Sequence, residues 1–206
     1  MNYYISDTHF GHKNVLTFDK RPFFTITEME QEMIQHWNEK VKKNDTVYIC
    51  GDFCWDKEQE WIRILNNLSG SKVLIRGNHD LKQMSANLKH KFQDITYYKE
   101  ITDAGRKVIM SHYPIPFYKS DYNPNVYHLY GHLHNTIEEQ WMQELKQIIK
   151  QSDTRGNSKH TLQYYNCWCG FYEYTPASLD EIIHRWEHWC YELYIVASGG
   201  DKPGRA

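Results

Sequence analysis

Apolar and polar positions along this chain follow two rhythms. Short apolar runs at Tyr3-Tyr4-Ile5, Thr46-Val47-Tyr48-Ile49-Cys50 and Lys72-Val73-Leu74-Ile75 read as buried strands. Between them the spacing turns helical. Residues 27 to 42 carry the stripe Met29, Met33, Ile34, Trp37 and Val41, with Thr27 and Glu30 placed to form a capping box. Residues 58 to 68 carry Trp61, Ile62, Leu65 and Leu68 on one face, and Ser69-Gly70 stops them. Strand–helix units in succession predict an α/β layered fold.

After Asp80 the rhythm changes. A Lys-rich helix is predicted over 81–92, strands over 95–101 and 107–110 around the turn Asp103-Ala104-Gly105, and a strand over Val126–Tyr130. Next come a helix over 138–151 with Trp141, Leu145, Ile148 and Ile149 inward, a polar loop over 152–160 and a last strand over 162–169. Ser178, with Glu181 three residues on, opens a terminal helix reaching about residue 190. A hairpin-rich second half predicts a second sheet packed on the first. No repeat or linker divides the chain, so residues 1–197 are expected to form one domain and 198–206 a disordered tail.

Composition narrows the function. With 206 residues, 40% apolar and 24% charged, the chain can bury a substantial core. A net charge of −2 weighs against a general nucleic-acid binder. The five cysteines are odd in number and lack paired zinc spacing, which favours small buried hydrophobes. The N-terminus turns polar too soon for a signal peptide, and no apolar run is long enough to span a membrane, so a cytoplasmic location is expected. His184 and His188 have zinc-compatible spacing, but Trp186 and Trp189 beside them point to packing or surface.

Chemistry collects where strands end. The first strand runs into Asp7-x-His9, the second into Gly51-Asp52 and the third into Gly77-Asn78-His79-Asp80. Later strands deliver His112, just before Pro114, and Gly131-His132-x-His134. Asp-x-His and His-x-His on an extended chain aim both side chains the same way. Carboxylate, amide and imidazole together suit divalent transition ions rather than calcium or a thiolate site. Seven such residues fill two ions when one carboxylate is shared.

These five blocks, in order over residues 7 to 134, resemble the calcineurin-like metallophosphoesterase superfamily. The opening Ser6-Asp7-Thr8-His9-Phe10-Gly11-His12-Lys13-Asn14 and Arg21-Pro22-Phe23 resemble its small bacterial and phage members. The resemblance implies a four-layer α-β-β-α sandwich of two mixed sheets flanked by helices, with metals at the strand ends. It implies that Asp7, His9 and His134 hold one ion, that Asn78, His112 and His132 hold a second, and that Asp52 bridges both. A metal-bridging hydroxide would attack the phosphate ester, with His79 as general acid or phosphate stabiliser and no catalytic role for Asp80. The cofactor implied is two divalent ions, manganese first, with iron, nickel, cobalt or zinc as alternatives.

The departures bear on substrate. Protein phosphatases of this superfamily carry an arginine shortly after the bridging aspartate, and the run from Gly51 to Lys57 has none. The expectation is a phosphodiesterase of nucleotide-like or other small molecules. A phosphomonoesterase of small metabolites is the alternative. A non-catalytic scaffold is the weaker one, because all seven ligand-type residues and His79 are retained. Arg21 and His12 are candidate substrate contacts. Tyr113, Phe117, Tyr118 and Tyr122 are placed either to stack a base or to pack. The stretch 135–160 is expected to be a decorated loop, with a lid or interface as the alternative.

Overall fold

The computed structural model of the chain describes residues 1–152 and 161–187. Four parallel strands form the first sheet in the order β1 (Asn2–Ile5), β2 (Thr46–Ile49), β3 (Ser71–Ile75) and β4 (Asp94–Thr96). The second sheet runs β5 (Tyr98–Asp103), β6 (Arg106–Ser111), β7 (Val126–Tyr130) and β8 (Tyr164–Asn166). β5 is antiparallel to β6, while β6, β7 and β8 run parallel; on the first sheet Tyr4 of β1 makes an antiparallel bridge with Ala177, so each sheet carries an antiparallel edge. The run expected as one strand over 95–101 is divided between the two sheets, with Tyr97 between the parts.

The layers follow from period-two alternation. Val108, Met110, Tyr127, Leu129 and Tyr165 join the strands of the first sheet in the large core. Their neighbours Ile109, Val126, Tyr130 and Tyr164 form a second core on the other face. Helices α2 (Ile26–Lys40) and α3 (Glu58–Asn67) contribute Met29, Met33, Trp37, Trp61, Ile64 and Leu65 to the first. Helix α5 (Ile137–Ser152) adds Met142 and Ile149 to the second. The arrangement is an α-β-β-α sandwich.

Several local expectations shift. Helix α2 starts two residues early, on a capping box of Thr25 and Glu28. The Glu28 carboxylate also accepts the Phe24 amide, which Glu30 in the later register would leave unserved. α1 is a single turn, Val15–Phe18, and the predicted helix over 81–92 shrinks to α4 (Ala86–Lys89), capped by the Ser85 hydroxyl. In the stretch before it, Leu81 O accepts from Arg76 and the Ser85 amide donates to Glu58, partners outside any helix. The strand expected over 162–169 is only β8, because a 3-10 turn, Cys169–Tyr172, follows closely. The terminal helix, α6, begins at 179 with the reciprocal Ser178–Glu181 cap and is described to 187. His184 on it is exposed; His188, Trp189 and Cys190 lie outside the described residues, as do 198–206. Cys50, Cys54, Cys167 and Cys169 are free and buried.

The largest correction is α5. Trp141, Leu145 and Ile148 face outward at 57%, 36% and 60% exposure, and Ile149 alone of the four expected inward packs on the core. The buried face carries Glu139, Gln143 and Lys146 instead. Glu139 accepts hydrogen bonds from Tyr130, Gln143 and Asn166, and the Lys146 ammonium lies over the rings of Tyr164 and Tyr165. These partners hold the polar burial in place, and Gln143 Oε1 is the atom of this face left without one among the described residues.

Candidate metal centre

The strand ends of both sheets meet at one place. Asp7 and His9 leave β1, Asp52 leaves β2 and Asn78 leaves β3; His112 leaves β6, and His132 and His134 leave β7. Two donor groups form there, each with ligand atoms within 4.8 Å of one another: Asp7, His9 and His134, and Asp52, His112 and His132. Asn78 Oδ1 lies 2.9 Å from His112 Nε2. Asp52 stands between the groups, its Oδ2 3.9 Å from His9 Nε2 and 3.5 Å from His112 Nε2.

The backbone is bent to achieve this. Asp7, His9, Asp52, His132 and His134 all have positive φ, from 48° to 71°. None is glycine, so each carries the steric cost of the left-handed region, the kind of strain that gathers at functional sites. Gly77 serves approach rather than turning. A Cβ there would collide with Asp52 Oδ1 and sit 2.6 Å from the Asp52 backbone nitrogen. Asp80, buried, ties the loops together by accepting the amides of Phe53 (2.9 Å) and Gly77 (2.7 Å), and burial pushes its carboxyl up to about 6.

The imidazoles are oriented from behind. His112 Nδ1 lies 2.8 Å from Cys50 O, and His134 Nδ1 lies 2.7 Å from Asp19 Oδ1. In each the Nε2 is left facing the carboxylates, the disposition by which metal-ligating histidines are held. Burial drives His9 down to about 3, leaving it neutral. Burial also works against charge on His112 and His134. The hydrogen bond to Asp52 overcomes it for His112, and those to Asp19 and Asp7 for His134, so both rise to about 9. Burial likewise opposes ionisation of Asp7 and Asp52, but the hydrogen bonds and charge of His134 and His112, respectively, hold both carboxyls below their usual range. Concentrated negative charge that recruits protons onto neighbouring imidazoles is a place where divalent cations bind in their stead.

Arg21 does not stand where a substrate contact would. Its side chain is 0% exposed. Its guanidinium donates to Thr8 O and Asp7 O at 2.8 Å and to Asp19, which pins the first loop from inside. His12 does reach the mouth of the site, where it stacks on Trp55 with ring centroids 4.2 Å apart and planes 10° apart. Trp55 also meets His79 at 4.4 Å, and Phe18 meets His12 at 5.5 Å and His134 at 6.1 Å. Tyr113 lies against His132 at 4.5 Å, while Tyr118 is buried in the second core. His79 is exposed, with its backbone amide 2.9 Å from Asp52 Oδ1. Sequence reasoning missed Asp19, Phe18 and Trp55. Trp55 follows Asp52 by three residues, as His12 follows His9, and that shared offset was the available signal.

Two sheets in this sandwich, with paired Asp/His groups at their joined strand ends, define a metal-binding phosphoesterase fold. The family model of calcineurin-like phosphoesterases matches residues 3–174, and the chain belongs to that family. The uncharacterized protein MJ1445 of Methanocaldococcus jannaschii is 32% identical over 183 residues, covering 88% of each chain. The Gene 66 protein of Mycobacterium phage L5 is 33% identical over 81 residues, 38% of this chain and 39% of its own. Among solved structures, the protein of unknown function AQ665 from Aquifex aeolicus superposes with a TM-score of 0.59 at 27% identity, over 89% of this chain and 98% of its own. No helix among the described residues is long and apolar enough to cross a membrane.

Proposed function

We propose that the protein is a dinuclear-metal phosphoesterase that hydrolyses phosphodiesters of small molecules, nucleotide-like ones among them. The observation that carries this reading is the position of Asp52, whose one carboxylate oxygen faces an imidazole of each donor group. Asp7, His9 and His134 would hold one ion; Asn78, His112 and His132 would hold the other, with Asp52 shared. The nitrogen-and-oxygen donor set and the rear anchoring of His112 and His134 fit divalent transition ions, manganese first. Such a pair of ions supplies charge neutralisation at phosphate oxygens and an acidified water.

The chain's own residues do the rest. His79, exposed beside the shared carboxylate, gives its proton to the departing ester oxygen. Arg21 and Asp80 keep the loops in register. Arg21 also bears on the substrate through its absence from the mouth: its guanidinium is spent on backbone carbonyls and Asp19. A monoester dianion would profit most from such a fork, and a diester carries one charge fewer. The test is hydrolysis of bis-p-nitrophenyl phosphate against p-nitrophenyl phosphate by metal-stripped protein with Mn²⁺ restored, with Asp52→Asn as control. Metal-dependent diester preference lost in the variant is expected. Monoester preference would redirect the search to phosphometabolites, and failure to take up any divalent ion would leave a non-catalytic scaffold.

A further inference from the structure

Three loops that carry expected metal ligands each send one further ring to the same side of the site. Three residues beyond His9 is His12, three beyond Asp52 is Trp55, and next to Asn78 is His79. With Phe18 they form a continuous row, Phe18–His12–Trp55–His79, at centroid spacings of 5.5, 4.2 and 4.4 Å. The row borders the first donor group, with His9 5.7 Å from His12, 6.2 Å from Trp55 and 6.0 Å from His79.

This row is not core packing. Phe18 is 55% exposed and Trp55 46% exposed, so large aromatic surface is left open at the edge of the chemistry. Nor is it tuned for stability, because among the described residues His12 Nδ1 is buried without a hydrogen-bond partner, an arrangement that costs free energy. Trp55 is nonetheless fixed in place. Its backbone amide donates to Phe10 O at 2.8 Å, and Phe10 and Cys54 form a β-bridge, so the indole is carried on rigid backbone. His12 covers one face of the indole, and the surface left exposed, pre-organised beside a phosphate-handling centre, suits stacking of a flat heterocycle.

We infer that the ring row centred on Trp55 is a specificity subsite for a nucleobase, so that the substrates are phosphodiesters of nucleosides. The inference rests on the phosphodiesterase reading above and narrows it. Trp55 makes no contact with the scissile group in this scheme. It binds the base and, through the same ring, positions His79.

Two measurements test it. The first needs neither metal nor turnover: titration calorimetry of metal-free protein with adenosine 5′-monophosphate against ribose 5-phosphate. The mononucleotide is expected to bind and ribose phosphate not to. Trp55→Ala should weaken nucleotide binding about tenfold, and Trp55→Phe, which keeps a ring, should restore most of it. Equal binding of the two ligands, or an unchanged affinity in Trp55→Ala, overturns the subsite. The second is ³¹P NMR of Mn²⁺-loaded protein with adenosine 2′,3′-cyclic phosphate and ribose 2,3-cyclic phosphate. The ratio of their kcat/KM values divides out any effect of the variant on His79. The wild type should favour the base-bearing diester through KM by about tenfold, and the ratio should collapse in Trp55→Ala. Turnover of both at equal efficiency overturns the subsite while leaving the phosphodiesterase standing. Nucleotide-specific binding without hydrolysis of either diester would uphold the subsite and overturn the diester reading.

Discussion

Nδ1 of His134 lies 2.7 Å from Oδ1 of Asp19, a residue on no strand end and in none of the sequence blocks that mark the site. The same carboxylate pairs with the buried Arg21 guanidinium, 2.9 Å away, so it holds an expected metal ligand and the loop behind it together. Asp19→Asn keeps an acceptor but removes the charge that fixes the imidazole. Divalent-ion affinity should fall about ten- to a hundredfold with the fold intact. Titration calorimetry with Mn²⁺ checks it, and an unchanged affinity would remove Asp19 from the supporting shell.

Gly77→Ala places a methyl against the Asp52 carboxylate and 2.6 Å from its backbone nitrogen. Neither neighbour is the free end of a flexible chain. A loss of about 1–3 kcal/mol in urea unfolding is expected, together with reduced metal uptake. Wild-type stability and metal content in the variant would show that the two loops can part without consequence.

His128 gives the stability a defined acid limb. It is fully buried, with Nε2 accepting the Ile115 amide at 3.0 Å and Nδ1 3.3 Å from Ile109 O. Burial pushes its pKa down from 6.5 to about 4. The folded form therefore resists a proton that the unfolded chain accepts. The contribution is complete above pH 6.5 and is lost as pH falls from there towards 4, on the order of 3 kcal/mol in all. Melting profiles from pH 7 to pH 4 should be flatter for His128→Gln than for the wild type; parallel profiles would assign the acid limb elsewhere.

Glu139 acts with the opposite sign. Burial raises its pKa from 4.5 to about 7, so the folded chain keeps a proton that the unfolded chain gives up. This favours folding below pH 4.5, and the advantage is lost as pH rises through 7. Glu139→Gln preserves acceptance from Tyr130 and does not ionise. The variant should gain on the wild type in thermal stability between pH 5 and pH 8, and a gap independent of pH would contradict the assignment.

The layered fold and the meeting of strand ends were legible because both are written locally. A buried strand needs an apolar run, and the polar residues that follow it are fixed by the chain itself. The orientation of α5 was not legible. Ile137, Trp141, Leu145 and Ile148 have the spacing of a buried stripe, and periodicity says that a helix has two faces without saying which one is inward. Here the choice falls to Tyr130 and Asn166, which come from two strands of the second sheet and satisfy Glu139. Arg21 fails for a related reason. Charge suggests solvent or substrate, but two carbonyls, Asp19 and the Met29 sulfur accept from all the donors of the buried guanidinium. Thr25 and Thr27 offer the same capping motif two residues apart, and only the extra partner at Phe24 separates them.

β4 ends at Thr96 and β5 begins at Tyr98, so one exposed residue is the whole passage from the first sheet to the second. Asp7, His9, Asp52 and Asn78 come before it; His112, His132 and His134 come after. Each donor group therefore straddles the seam, and neither half of the chain owns a complete set. A protein severed at Tyr97 would be two incomplete partners, and metal uptake would be an assay of their reunion.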